Sequence, residues 1–129
     1  MPQLSKGGKW VFGWVIIGEK GEIRIPHDAC LEYGFEDGMR VGFTNGSRRS
    51  GGFAMGNAHA LLNSKIQTRL IAYGIIEKDQ MVILPKELGA KPLENYLAVR
   101  GSGLALGFIQ QGPIFEIAQE YQGIEMFTP

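Results

Sequence analysis

The residues of this chain that could do chemistry are mostly basic, and they concentrate in its first half. Lys20 and Arg24 lie on either side of a short alternating segment, and Arg48 and Arg49 lie in a loop of serines and glycines. Lysine and arginine neutralise phosphates, and arginine can also read guanine through two parallel hydrogen bonds. These four cations could therefore bind a polyanion, or they could be ordinary solvated surface charges.

Residues suited to catalysis or metal binding are sparse. His27 and His59 are the two histidines and lie far apart in sequence, and Cys30 is the single cysteine. One thiol excludes a disulfide framework within the chain and a multi-cysteine zinc site. We expect Cys30 to be a core residue. The sequence therefore predicts neither an enzyme nor a bound cofactor or metal.

Composition indicates a folded domain with an uneven charge distribution. The 129 residues are 44% apolar and 20% charged, which excludes a disordered chain. Residues 1–70 hold nine basic and six acidic groups, whereas residues 71–129 hold four and seven. No apolar run is long enough to cross a bilayer, and the first residues lack the order of a secretory signal. We therefore expect a cytoplasmic protein without a membrane partner.

Two halves of the chain share landmarks in the same order. Gly21–Pro26 aligns with Gln80–Pro85, and Gly46–Phe53 aligns with Gly101–Phe108. This pattern predicts two repeats, 1–64 and 65–129, intertwined as one unit.

The alternation of apolar residues predicts a β-β-α-β-β order in each repeat. In the first repeat, Pro26 begins a helix that ends at Tyr33 before Gly34, and Asn57 caps a short helix through Leu62. The remaining predicted elements are a first strand over Trp10–Ile17 with Trp10 and Trp14 on one face, strands over Met39–Thr44 and Gly52–Met55, a strand over Ile66–Ile76, one helical turn over Pro85–Leu88, and a final helix from Pro113 whose apolar face carries Ile114, Ile117, Ala118 and Tyr121.

One motif resembles a known family. The segment runs Gly21-x-Ile23-x-Ile25-Pro26, followed by Leu31, Gly34-Phe35, Gly38 and Val41. It is similar to the signature of the AbrB/SpoVT-type swapped-hairpin transcription regulators, and a degraded form recurs over residues 74–109. The resemblance implies a mixed α/β, mostly β fold: a swapped-hairpin barrel of two tandem β-β-α-β-β repeats, followed here by the C-terminal amphipathic helix.

The resemblance also implies a function and partners. We expect a homo-oligomeric transcription regulator that binds double-stranded DNA through Lys20, Arg24, Arg48 and Arg49, with Lys6 and Lys9 on a basic N-terminal arm. In the second repeat, Met81 and Ile83 replace the outward-facing Glu22 and Arg24, so that half is expected to serve packing or oligomerisation.

Two other functions stay open at this point. The loop Ser47–Gly52 combines hydroxyls, guanidiniums and glycines, which can form a site for a small anion or ligand. The tail Gly123–Pro129 after the last helix could instead belong to an antitoxin-like module that captures a protein partner.

Overall fold

The computed structural model describes residues 10–101 and 103–129. The fold is mixed α/β with more strand than helix, which confirms the predicted class. In chain order the elements are β1 (Val11–Ile16), β2 (Glu22–Arg24), α1 (His27–Tyr33), β3 (Arg40–Asn45), β4 (Phe53–Asn57), α2 (Ala58–Leu62), β5 (Leu70–Ile75), β6 (Met81–Ile83), β7 (Asn95–Arg100), β8 (Ala105–Ile109), α3 (Pro113–Glu120) and β9 (Met126–Phe127).

Strands from the two halves of the chain are interleaved within one open sheet. Its seven strands follow the order β5-β3-β4-β8-β7-β1-β9, and β2 pairs with β6 in a separate two-stranded sheet. The first strand β1 is antiparallel to β7 in the second half, and β5 is antiparallel to β3 in the first half. Neither half therefore completes its hydrogen bonding without the other.

The main core lies between the large sheet and the β2–β6 pair. Ile23 and Val82 of that pair are fully buried, as their alternation with charged or exposed neighbours predicts. Phe53 and Phe108 stack with their ring centroids 4.6 Å apart, joining β4 to β8 at the centre of this core. Cys30 of α1 is buried against the same cluster, where sequence analysis places it.

A second core lies beneath α3, on the outer face of β1 and β7. The ring of Trp14 meets that of Phe115 edge to face at 5.3 Å, and Ala118 is buried. The predicted apolar face of α3 is partly wrong, because Ile117 and Tyr121 are exposed. The helix instead packs through Ile114, Phe115 and Ala118. It is therefore turned about its own axis relative to the orientation that the predicted face requires.

The capping signals in the sequence predict the bounds of α1 and α2, whereas the predicted start of one strand is wrong. Gly34 ends α1 in the left-handed conformation with φ 68°, and the Asn57 side chain accepts a hydrogen bond from the Ala60 amide at the start of α2. The predicted strand over Ile66–Ile76 is wrong at its start. The Ser64 hydroxyl accepts from the Ile66 amide and opens a 3₁₀ turn over Lys65–Arg69, so β5 begins only at Leu70.

The first strand contains an irregularity that separates its tryptophans. The register of β1 with β7 shifts between Val11 and Gly13. A bulge of this kind redirects side chains on the strand. Trp14 packs beneath α3, whereas Trp10 is exposed, and its ring centroid lies 5.7 Å from the Arg100 guanidinium.

Within the described ranges, none of the helices has the length and apolar character needed to cross a bilayer.

Candidate nucleic-acid interface

The antiparallel register brings the ends of β1 and β3 to the same end of the large sheet. We call this line of strand ends the edge. Ile16 pairs with Asn95 at the start of β7, and Asn45 pairs with Phe53 at the start of β4. The end of β8 lies at this same edge, because Ile109 pairs with Leu97. The turn after β1 and the loop after β3 are therefore separated along the edge by three to four strand spacings, about 14–19 Å.

The turn after β1 presents Lys20 to solvent. The Gly18 amide donates to the Glu22 carbonyl, and the Lys20 amide donates to the Glu22 carboxylate at 2.9 Å. Glu22 follows Gly21 directly and is the first residue of β2. Its carboxylate here folds back to stabilise the turn, while the Lys20 side chain is exposed.

The loop after β3 presents Arg48 and Arg49 from a backbone that is held at several points. The Ser50 carbonyl accepts hydrogen bonds from the amides of Gln110 and Gln111, at 2.8 and 3.0 Å. The Gln111 side chain donates to the Arg48 carbonyl at 2.9 Å. Both arginines are exposed. The loop is thus fixed to the connection between β8 and α3 while its guanidinium groups face solvent.

Gly52 is required at the end of this loop. Its φ of 69° is a left-handed conformation that favours glycine. A Cβ built on Gly52 would lie 1.8 Å from the Phe108 carbonyl oxygen, which is backbone and cannot yield cheaply. The close approach of β4 to β8 therefore depends on the absence of a side chain at this position.

Arg24 differs from the other predicted contacts, because its guanidinium is already engaged. Its Nε donates to the Thr128 carbonyl at 2.9 Å, and one terminal nitrogen donates to the Asp79 carbonyl at 2.7 Å. The side chain is half-buried. Arg24 thus ties the C-terminal segment and the turn before β6 to β2, and the structure does not group it with the exposed arginines of the loop.

Two further cations lie at the same edge and were missed by sequence analysis. Arg69 directly precedes β5, whose first residue Leu70 pairs with Thr44 near the end of β3. Lys91 lies two residues before Leu93, whose amide donates to the Ile17 carbonyl beyond the end of β1. Only the pairing of distant strands brings these cations together. We name the set that they complete the basic edge: Lys20, Arg48, Arg49, Arg69 and Lys91. Within residues 10–101 and 103–129, none of its side chains forms an ion pair.

Glu94 organises the backbone beside the basic edge. Burial acts to raise the pKa of Glu94, but hydrogen bonds outweigh it and the pKa is lowered. The donors are the Lys91 amide at 2.7 Å, the Gln110 side chain at 3.1 Å and the Tyr96 hydroxyl at 3.2 Å. Burial, followed by the Glu94 charge, raises the pKa of Tyr96 to about 12. The ionised carboxylate therefore joins the segment before β7 to the one after β8.

At the opposite edge of the sheet, two arginines already have partners. Arg100, at the end of β7, forms a two-point ion pair with Glu32 of α1. That hydrogen bonding raises the pKa of Arg100. Arg40, at the start of β3, lies over the Tyr73 ring at 4.2 Å. These cations are therefore less available to a polyanion than those of the basic edge.

Two observations concern the thiol and the possible metal ligands of the described residues. Burial raises the pKa of the Cys30 thiol to about 11, with the Asp37 charge adding to the effect, so the thiolate is scarce at neutral pH. The described part of the chain contains no group of three or more His, Cys, Asp or Glu residues that could hold a metal ion.

The predicted basic arm with Lys6 and Lys9 lies outside the described residues. Comparison of the chain with protein-family models, with curated proteins and with solved structures finds no match.

Proposed function

We propose that this protein is a DNA-binding transcription regulator of the AbrB/SpoVT swapped-hairpin type, and that it contacts duplex DNA through its basic edge. The observation that carries the proposal is the placement of Lys20, Arg48 and Arg49 at one sheet edge, exposed and without ion pairs among the described residues. The turn that carries Lys20 and the loop that carries both arginines are separated by about 14–19 Å, which is on the scale of the major groove and its flanking phosphates.

The strand pairing supports the family part of the proposal. The pairing of β1 with β7 has its counterpart in that of β5 with β3, while β2 pairs with β6 and β4 with β8. Apart from β9, which pairs with β1 and has no counterpart beside β5, this pattern is unchanged when the two halves are exchanged, as two fused copies of an intertwined hairpin module require. The family proposal therefore rests on both the Ile-x-Ile-Pro motif and the topology.

DNA capture tests the function directly. Genomic fragments retained by the protein at two salt concentrations are sequenced, and the affinity for the best captured duplex is measured as a function of salt. We expect the R48A/R49A variant to bind at least tenfold more weakly. We also expect its salt slope to be smaller by about two, because each lost phosphate contact removes about 0.9. The matched control is Lys86→Ala, an exposed cation outside the basic edge. Equal losses in both variants, or no capture at low salt, would reject the proposal.

Arg24 requires a separate test, because both of its described hydrogen bonds are internal. We expect Arg24→Gln to lower the melting temperature and to leave the salt slope of DNA binding close to that of the parent. A salt slope reduced by about one, at unchanged melting temperature, would instead place Arg24 among the phosphate contacts.

We also propose that the chain forms homo-oligomers through β5. This strand is the outermost strand on one side of the large sheet. Three exposed apolar residues lie there: Tyr73 and Ile75 on β5, and Ile83 on β6. An apolar edge strand is a template for pairing with a second copy. We expect Ile75→Lys to shift the sedimentation coefficient toward that of a monomer, whereas Ile117→Lys on α3 leaves it unchanged. A parent protein that already sediments as a monomer would reject this arrangement.

A further inference from the structure

A cleft of about 360 Å³ opens on the outer face of the large sheet, away from the main core. Its floor is a row of small residues on β3, β4 and β8. Thr44 pairs with Ala54, and Ala54 pairs with Gly107, so the row crosses these strands side by side. Small side chains leave the backbone of the sheet close to the surface, and this creates the volume.

The helices on this face leave the cleft uncovered. Leu61 of α2 packs over Gly42 and Gly56, since a Cβ built on either glycine would lie within 3.3 Å of its methyl group. On the other side, α3 covers β1 and β7 through Ala118. The cleft lies between these two supports, with apolar walls from Leu61, Ile66, Val99 and Ile109.

The opening of the cleft is polar and carries one type of charge. Among the described residues that line it, Arg69 is the only charged one, and it forms no ion pair with any of residues 10–101 and 103–129. Asn45, Ser47 and Ser50 supply further hydrogen-bonding groups there, and the hydroxyls of the two serines lie 2.7 Å apart. A single guanidinium beside hydroxyls and an apolar floor suits a ligand with an anionic group on a flat apolar body.

We propose that this cleft is a binding site for a small organic anion, with the apolar body on the Ala54–Gly107 floor and a carboxylate or phosphate at Arg69. The volume lies within the range typical of small-molecule sites. The site does not require DNA binding. Arg69 is itself part of the basic edge, and Ser47 and Ser50 belong to the loop that carries Arg48 and Arg49, so an occupant would share this part of the surface assigned above to DNA.

The test uses the full chain and three probes that share a naphthalene ring: 2-naphthoate, 2-naphthyl phosphate and the neutral 2-naphthamide. Binding is followed by naphthalene fluorescence and by amide chemical shifts. We expect at least one anion to bind at least tenfold more tightly than the amide and to shift the signals of Ala54, Arg69 and Gly107. The tighter of the two anions identifies the preferred acidic group.

Variants separate the floor from the charge. We expect Ala54→Leu to weaken anion binding at least tenfold by filling the floor, and Arg69→Gln to reduce the preference for the anions over the amide to less than threefold. Lys86→Gln, outside the cleft, should bind like the parent. The proposal is overturned if neither anion binds the parent protein, or if 2-naphthamide binds as well as the anions. It is also overturned if the backbone amides whose signals shift lie away from the cleft. The backbone chemical shifts of the parent protein locate the binding site even if Ala54→Leu does not fold.

Discussion

The connections that follow β3 and β7 align in sequence but differ in structure. In the first half, Gly52 lies in the loop with φ 69° and β4 begins after it; in the second, the aligned Gly107 lies within β8. Both strands have five residues, but β8 begins at Ala105, which aligns with Ser50, so β8 includes positions that the first half leaves in a loop. Arg48 and Arg49 project from a long connection at the basic edge, whereas the aligned Gly103 and Leu104 in the connection after β7 are uncharged. The difference in charge therefore comes from the residue types at aligned positions, while the later start of β4 makes the connection after β3 the longer of the two.

The largest expected effect separates the two aligned glycines. We expect Gly52→Ala to lower the free energy of unfolding by about 2–4 kcal/mol, because it combines a left-handed backbone with a collision against the Phe108 carbonyl. Gly107→Ala should cost less than about 1 kcal/mol, because its Cβ would meet only a methyl group of Val99 at 3.2 Å. Urea unfolding of both variants measures the difference. Equal losses would mean that the two connections are equivalent after all.

A smaller effect tests how far the loop after β3 depends on being held. Gln111→Ala removes the hydrogen bond to the Arg48 carbonyl without changing any charge. We expect DNA affinity to fall about two- to fivefold, equivalent to about 0.5–1 kcal/mol for one hydrogen bond. Gln119→Ala, on an exposed position of α3, is the matched control. An affinity unchanged in Gln111→Ala would show that the loop presents its arginines without this support.

The smallest effect is a pH dependence at the basic edge. Because the pKa of Glu94 is lower in the folded state than its ordinary value of 4.5, its ionised form stabilises the protein above that pH. This stabilisation is lost as the pH falls through the lowered pKa. We expect the melting temperature of Glu94→Gln to lie below that of the parent at pH 7, and the gap to shrink below about pH 4.5.

The exposed Glu87 provides the control for this measurement, since Glu87→Gln should change the melting temperature by a similar amount at both pH values. A gap for Glu94→Gln that does not depend on pH would contradict the proposed role of the carboxylate.

Features that depend on local chemistry could be predicted from the sequence. Pro26 and Gly34 bracket α1, and Asn57 caps α2, because each of these signals acts within one helical turn. The start of β5 was missed because the cap by Ser64 favours a 3₁₀ turn over a sequence that reads as strand.

The candidate site was only partly accessible in this way. Lys20, Arg48 and Arg49 stand in turns and loops that the sequence identifies. Arg69 and Lys91 join them only through strand pairs that are distant in sequence. The Arg24 guanidinium is instead engaged by hydrogen bonds to the carbonyls of Asp79 and Thr128. Periodicity carries no information about such long-range partners.

The exchange of strands between the halves also constrains how the protein is made. Trp14 in β1 pairs with Leu97 in β7, roughly eighty positions later, and contacts of such long range slow folding. During synthesis, the amino-terminal strand must wait for most of the polypeptide to leave the ribosome before it finds its neighbour. A protease cut in the connection between α2 and β5 would, by the same logic, leave two fragments that stay associated as one particle.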